Sequence, residues 1–382
     1  MQKYLLFIGG IFNEHAMLNS KAISPAANRW QKGLIKAINH QKLATVLLSH
    51  FPEPIWPRGH YRPGNQDDLD SMFDSHLVNY WNLPFLRGRS LSNAYVNAFR
   101  KICKKNKRPL AVITYNPSPH AVAVGLYAQK YYQIPWIDIC ADHYDPGPNW
   151  SKYSLDAKMA KGHVFLSYHA FQDCPFSIKL HLDGGVNDLK FKLEIQPKKN
   201  SKKQKIIVYT GMLTKWGGII LLLKAFKKIK DPNIQLWVCG HGNSSELELA
   251  LKEDPRIYFF GFVSELRLKE IYQHASIFVN PRPRILDNNM NFPSKILEYL
   301  SYGKPVISTW TAGLSPKYRD ILEVIDEETE DCLANKIEYT LNFSNEEQIR
   351  KFSEIKEFLL EEKTWIAQAK KLIFWLDNYI LS

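Results

Sequence analysis

The chain has 382 residues, of which 45% are hydrophobic, 13% aromatic and 23% charged, and its formal net charge is +12. This composition excludes a disordered or low-complexity protein, and the length exceeds what one hydrophobic core usually serves, so two domains of ordinary size are expected, with a cleft between them. No apolar run reaches the roughly 18 residues of a membrane-spanning helix, and the positive charge calls for an acidic partner: nucleic acid, anionic lipid or a phosphorylated substrate.

The opening "MQKYLLFIGG" has a very short apolar stretch and no small-residue cleavage pattern, so it reads as a buried first strand and not as a secretory signal. Strands are expected near Tyr4 to Ile8, Ala44 to Leu48, Leu110 to Thr114, Trp136 to Cys140 and His163 to Ser167, with helical patterns between them. After the first strand the chain breaks at Gly9 and Gly10. It then enters a helix capped by Ser24 with Pro25 at its first position. The pair is either an ordinary tight turn or a loop lining a ligand, and on the second reading Gly10 joins the ligand-binding residues. "DDLD" at 67–70 lies in a polar, mobile-looking region and forms no convincing metal motif. The strand ending at Thr114 is followed by "YNPSPH" and the one ending at Cys140 by "ADHYDPGPNW", both at the carboxyl edge of a parallel sheet. Asn116, His120, Asp142, His143 and Asp145 are the reactive side chains in those loops; an Asp-His pair there is either a turn or a rigidly placed polar pair.

Basic residues cluster in "RKICKKNKR" (Arg100 to Arg108) and at Arg87 and Arg89, interleaved with Trp81, Phe85, Leu86 and Leu91. That pattern fits either a solvated helix face or contact with anionic headgroups. No nucleic-acid-binding motif accompanies it. Five cysteines, widely spaced and without a CxxC pair, suggest neither disulfides nor zinc and fit a reducing cytosol. The lysine-rich "QPKKNSKKQK" marks a linker over 189–204, separating a first domain at 1–188 from a second at 205–345.

In the second domain strands are expected at Ile206 to Tyr209, Gln235 to Cys239, Ile257 to Phe260, Ile277 to Asn280 and Pro305 to Ser308. "NMNFPSKILEYLSYGKPVIST" (289–309) holds a short helix with Pro293 in its first turn and Gly303 as its stop. At 100° per residue Asn291, Ser294, Lys295 and Glu298 share one face, opposite Ile296, Leu297 and Leu300. Taken alone, Lys295 and Glu298 fit the solvated face of an amphipathic helix. Two further strand-to-helix loops, "YTGMLTKWGG" with Gly211 and Lys215, and "LWVCGHGN" with Gly240 and Gly242, open on the same sheet edge. Together the three form an anion site with a carboxylate one turn deeper that can accept two hydrogen bonds from a ribose diol. From Asn345 the chain is helical; 346–382 are assigned to C-terminal helices, with Trp365, Ile366, Ala369, Leu372 and Ile373 on one stripe.

The run "YTGMLTKWGG", "LWVCGHGN", "RIYFFGFVSELRLKEIYQHASIFVNP" and "NFPSKILEYLSYGKPVIS" resembles the donor domain of glycosyltransferase family 4, the group 1 transferases, over residues 205–310. The opening of the chain more loosely resembles bacterial capsular and exopolysaccharide members of that family. The resemblance implies an α/β GT-B fold of two Rossmann-like domains facing across a cleft, with C-terminal helices that can cross back to the first domain. It implies a retaining glycosyltransferase that moves a sugar from a UDP- or GDP-linked donor to a lipid-linked or growing saccharide in envelope polysaccharide synthesis. No metal or organic cofactor is expected, and the cysteine usage with the basic patch points to a cytoplasmic protein that can lie on the inner face of the membrane. By that likeness Glu298 holds the ribose. Ser294, Lys295 and the loop residues Asn291, Phe292 and Pro293, with Gly211 and Gly240, face the diphosphate or sugar. Asp142, His143 and Asn116 carry the chemistry. The family's second glutamate falls at Met290, its arginine at Met212 and its lysine at Gly217, leaving Lys215, Arg282 or Arg284 to supply the cation. The alternatives from other classes are a nucleotide-sugar epimerase on the same scaffold and a non-catalytic donor-binding subunit of a transferase complex.

Overall fold

The computed structural model describes residues 3–20, 22–105, 108–141, 157–187, 189 and 204–381. They form two compact units, Met1–Gly185 with Trp365–Ser382, and Val186–Thr364.

The first unit is built on β1 (Tyr4–Ile8), β2 (Ala44–Ser49), β3 (Asp74–Leu77), β4 (Val112–Tyr115), β5 (Trp136–Cys140), β6 (Gly162–Phe165) and β7 (Lys179–His181). All pair in parallel, in the order β3-β2-β1-β4-β5-β6-β7. Its helices are α1 (Glu14–Asn19), α2 (Pro25–His40), α3 (Arg87–Lys105), α4 (Pro119–Tyr132) and α5 (Tyr168–Asp173). β1 is apolar at every position because both sheet faces are covered. Tyr4, Leu6 and Ile8 join Tyr95 and Phe99 of α3, whereas Leu5 and Phe7 join Trp30, Leu34 and Ile38 of α2. The helix Trp365–Tyr379 returns to this second layer, where Trp365 meets Trp30 edge to face at 5.6 Å. The contact needs Gly33, since a Cβ there would lie 2.2 Å from the Trp365 ring.

α2 starts as its sequence indicates: Ser24 Oγ accepts the Ala27 N–H at 3.3 Å and Pro25 takes the first position. Its side chains also hold the loop after β1. Gln31 Oε1 accepts the Gly10 N–H at 2.9 Å, and Asn28 accepts the Phe12 N–H at 2.8 Å while donating to the Phe12 carbonyl at 3.1 Å.

The second unit carries β8 (Lys205–Met212), β9 (Ile234–His241), β10 (Ile257–Phe259), β11 (Ile277–Asn280), β12 (Val306–Thr309) and β13 (Glu323–Ile325), again all parallel, in the order β10-β9-β8-β11-β12-β13. Its helices are α6 (Ile219–Lys228), α7 (Ser245–Glu253), α8 (Glu265–His274), α9 (Leu286–Met290), α10 (Lys295–Leu300), α11 (Glu330–Leu341) and α12 (Asn345–Phe358); Trp365–Tyr379 is then α13. The strand order reverses between β8 and β11. In doubly wound sheets the crevice at such a reversal, beyond the carboxyl ends of the strands, is where ligands bind.

Two expectations, the stripe of the last helix and the mobility of the acidic run, are corrected, and three strands are added. Strands β3, β7 and β13 are edge strands of three or four residues, "DSHL", "KLH" and "EVI", too short and too polar to stand out as apolar runs. Of the helices in the tail, α12 stays with the second unit and α13 belongs to the first. The α13 stripe is Trp365, Gln368, Ala369, Leu372, Trp375 and Leu376, and Ile366 is exposed. The acidic run at 67–70 is also anchored: Asp70 is buried and pairs with Lys32 at 2.6 Å, and Asp68 accepts the Asn65 N–H at 2.7 Å.

Candidate functional site

At the reversal in the second sheet, backbone is brought together by glycine. β8 and β9 remain paired to their ends, Gly211 opposite Gly240 and Met212 opposite His241. Gly240 has φ +152°, and a Cβ on it would lie 1.8 Å from the Gly211 carbonyl oxygen. After β8 the chain makes a single turn over Lys215–Gly217 and enters α6 through Gly218, at φ +83°. A Cβ on Gly218 would lie 1.9 Å from the Pro281 carbonyl, so this glycine lets the β8 loop lie directly against the β11 loop. Tyr209 braces the turn, its single hydroxyl proton shared between the Met212 carbonyl at 2.7 Å and that of Gly217 at 3.1 Å.

The β11 loop is fixed by side chains that the sequence pattern did not single out. Asn288, 4% exposed, accepts Arg282 Nε–H at 2.6 Å and donates to the carbonyls of Trp216 at 2.9 Å and Pro283 at 3.1 Å. Asn289 accepts the Ala312 N–H at 2.9 Å, and its carbonyl accepts the Gly313 N–H at 2.9 Å. Thr309 donates to the Arg282 carbonyl, and Asn280 donates to Ser308 Oγ at 3.0 Å, locking the ends of β11 and β12. The available signal was the asparagine pair itself, a residue type that satisfies loop backbone by imitating it.

α10 begins after Ser294, whose backbone is already helical, with the Ile296 N–H bonded to the Pro293 carbonyl at 3.0 Å. Gly303, at φ +66°, ends the turn. Ile296, Leu297, Tyr299 and Leu300 are buried, Ser294 is exposed, and Lys295 and Glu298 are half-buried. The Glu298 carboxylate accepts no hydrogen bond and forms no ion pair with any described residue. Beside it lies a buried hydroxyl cluster: Thr210 Oγ1 is 2.7 Å from the Tyr272 hydroxyl and 2.9 Å from that of Tyr299, which also bonds the Thr210 N–H at 3.0 Å and carbonyl at 3.1 Å. Burial raises Tyr302 to about 12, and the Glu298 charge adds to it; Tyr299 is raised chiefly by burial, with Glu298 again contributing. A half-buried carboxylate held against neutral phenols, with no cation bonded to it, is poised to accept donors from outside the protein. Lys295 lies on the β9 side: burial raises the Cys239 thiol to about 11, and Lys295 is the first charge opposing that rise.

The three candidate cations differ. Arg284 is spent, its Nε–H on Glu328 at 2.9 Å and its Nη2 on the Asp326 carbonyl at 2.9 Å. Lys215 is exposed, its ammonium 5.1 Å from the Trp216 ring centre. Arg282 is oriented through Nε by Asn288 and lies close enough to oppose the burial that raises the Tyr209 hydroxyl. It therefore stands beside Gly217, whose carbonyl that hydroxyl bonds.

In the first unit Asp142, His143 and Asp145 lie outside the described residues. Asn116, at φ +62°, accepts the Ala141 N–H at 2.8 Å, which holds the chain leaving β5. His120 packs 4.6 Å from His50 and 4.7 Å from Tyr95 and is lowered to about 3, by burial first and then by His50 and Arg87. The Gly10 N–H is already taken by Gln31.

Residues 191–357 match the family described as Glycosyl transferases group 1. This stretch is a group 1 glycosyl transferase domain. Solved structures similar to the whole chain include a glycosyltransferase from Rickettsia africae ESF-5, 17% identical with a TM-score of 0.72, covering 98% of each chain. The catalytic domain of starch synthase IV from Arabidopsis thaliana, bound to ADP and acarbose, is 10% identical with a TM-score of 0.67 over 100% of each chain. Anabaena Alr3699/HepE in complex with UDP is 12% identical with a TM-score of 0.65, covering 98% of this chain and 99% of that one. A comparison with curated proteins finds no match. These likenesses give the glycosyl transferase domain its setting, a GT-B fold of two Rossmann-like units.

Proposed function

We propose that the protein is a retaining glycosyltransferase that uses a nucleoside diphosphate sugar, UDP- or GDP-linked, and extends a lipid-linked or growing saccharide in envelope polysaccharide synthesis. Supporting the donor class is the Glu298 carboxylate, without a partner among the described residues, on α10 between β11 and β12, one turn from Ser294 and Lys295. The ribose diol would donate two hydrogen bonds to Glu298, and the diphosphate would lie against the glycine loops at Gly211 and Gly240. Two structures similar in fold were solved with ADP and UDP, which agrees with a nucleoside diphosphate as the ligand class.

In the reaction the acceptor oxygen bonds to the anomeric carbon, the bond from that carbon to the diphosphate breaks, the acceptor proton leaves and the diphosphate keeps the electron pair. Lys295, Lys215 and Arg282 are read as meeting the charge that develops on the leaving group. Arg282 takes the part that the family's lysine, here Gly217, plays elsewhere, because Asn288 aims it at that turn. On this reading protein cations balance the diphosphate, and turnover does not require a divalent ion. Asn116 is read as holding Ala141 at the end of β5 and not as a reacting group. Incubation with a panel of nucleotide-sugars and a lipid extract tests the proposal. Transfer of sugar to the extract is the expected result; isomerised donor would instead show an epimerase, and binding without turnover a non-catalytic subunit.

A further inference from the structure

We infer that the first unit carries a bilayer-binding knob built from two stitched loops, and that its partner is an anionic phospholipid surface. The inference is independent of the donor site. The sequence pattern grouped Trp81, Phe85, Leu86 and Leu91 with the basic residues at Arg87, Arg89 and Arg100 to Arg108; the structure buries Leu91 and adds a second loop carrying Ile55, Trp56 and Tyr61.

Ile55, Trp56 and Tyr61 in one loop, and Trp81, Phe85 and Leu86 in the other, are all exposed, and Phe85 is exposed in full. Such a group is unusual, because large apolar side chains on a protein surface normally occur singly. It is also held in place. Asn82, wholly buried, donates to the carbonyls of Pro54 at 2.8 Å and His60 at 2.9 Å; its own N–H bonds the Tyr61 carbonyl at 2.8 Å, and its carbonyl accepts the Trp56 N–H at 3.1 Å. Tyr61 stacks on Trp81 at 6.2 Å, and the Arg62 guanidinium lies 4.1 Å from the Trp81 ring centre. Phe85 has φ +61°, a backbone state that bulky side chains avoid, so the fold holds an apolar ring in water at a conformational cost.

Charge selects the partner. From residue 75 to residue 137 the sequence has no acidic residue and nine basic ones. Arg89, Arg100, Lys101 and Lys104 are on the α3 surface beginning directly behind Phe85 and Leu86. In the other loop Glu53 is the one carboxylate between residues 51 and 66, and it is turned to His60, with the His60 N–H at 2.7 Å. Aromatic rings at headgroup level, aliphatic tips and flanking cations are what an anionic interface selects. Single-stranded nucleic acid would also meet the rings and the charge, but Ile55 and Leu86 offer it no stacking plane.

The test is co-sedimentation of the full chain with sucrose-loaded vesicles, either pure phosphatidylcholine or with about 30% phosphatidylglycerol. Binding is expected to the phosphatidylglycerol vesicles only and to weaken with salt. The double variant Phe85→Asn, Leu86→Ser is expected to lower partitioning at least about tenfold with an unfolding temperature no lower than the parent's, since both side chains are exposed and asparagine tolerates the backbone state at residue 85. Arg89→Gln and Lys101→Gln are each expected to lower it about fivefold. The inference is overturned if vesicles of both kinds fail to pellet the protein, if the double variant binds as well as the parent, or if a single-stranded oligonucleotide is bound while vesicles are ignored.

Discussion

Replacing Gly240 by alanine tests whether the site depends on close backbone approach. The new Cβ would lie 1.8 Å from the Gly211 oxygen, while real Cβ contacts essentially never fall below 3.0 Å, so the paired ends of β8 and β9 must part by roughly 1.2 Å. No rotamer relieves the clash, because both parties are backbone. Adding about 2 kcal/mol for the backbone state at φ +152° and about 1 kcal/mol for a weakened ladder bond gives about 3 kcal/mol, or roughly 6–12 °C in unfolding temperature for a unit of this size. Gly261 is the control: its φ is +71°, but nothing lies within 4 Å of a Cβ placed there, so alanine costs only about 1 kcal/mol. Thermal unfolding of both variants by circular dichroism, with nucleoside diphosphate affinity measured on each, decides the matter. If Gly240→Ala is as mild as Gly261→Ala in both stability and binding, the close approach is not what shapes this loop.

Asn288→Ala is expected to cost about 2–3 kcal/mol, since it leaves two carbonyls and Arg282 without their partner, and to weaken nucleoside diphosphate binding as Arg282 loses its aim. Denaturant unfolding and calorimetry read the two effects separately. Trp365→Ala empties the space between Trp30, Gly33 and Gly185 and is expected to destabilise the first unit by about 3–5 kcal/mol, visible as an earlier unfolding transition. His50 and His120 are lowered by burial from 6.5 to about 4 and about 3. Because the fold favours their neutral forms, their contribution is complete above pH 6.5 and is lost as the pH falls toward 4 and then 3. Replacing each with glutamine is expected to flatten the unfolding midpoint over that acidic range.

The periodic and punctuated parts of the fold were legible before any coordinates. β1, α2 and α10 announce themselves through an unbroken apolar run, a Ser24-Pro25 start, and the Pro293 and Gly303 bounds. What could not be read has physical reasons. An edge strand of three residues such as β13 is set by the neighbour it pairs with and not by its own apolar pattern. That the tail can cross back was expected, but the residue at which it divides depends on Trp365 meeting Trp30, a contact of two residues far apart in sequence. The asparagine knot at Asn288 is a tertiary arrangement of common loop residues, and only geometry separates it from a solvated turn. Glu298 could be placed on a face from helical spacing, but that its carboxylate lacks a partner among the described residues is visible only in three dimensions.

The central claim is that Glu298 receives a nucleotide's ribose, and calorimetry with UDP or GDP against the matching 2′,3′-dideoxy nucleotide addresses it most directly. Two hydrogen bonds to a carboxylate predict that the parent protein prefers the diol by roughly 100-fold and that Glu298→Ala binds both nucleotides alike, at the weaker level. Equal affinity of the parent for both nucleotides, or a Glu298→Ala variant that keeps the full preference, would contradict the account.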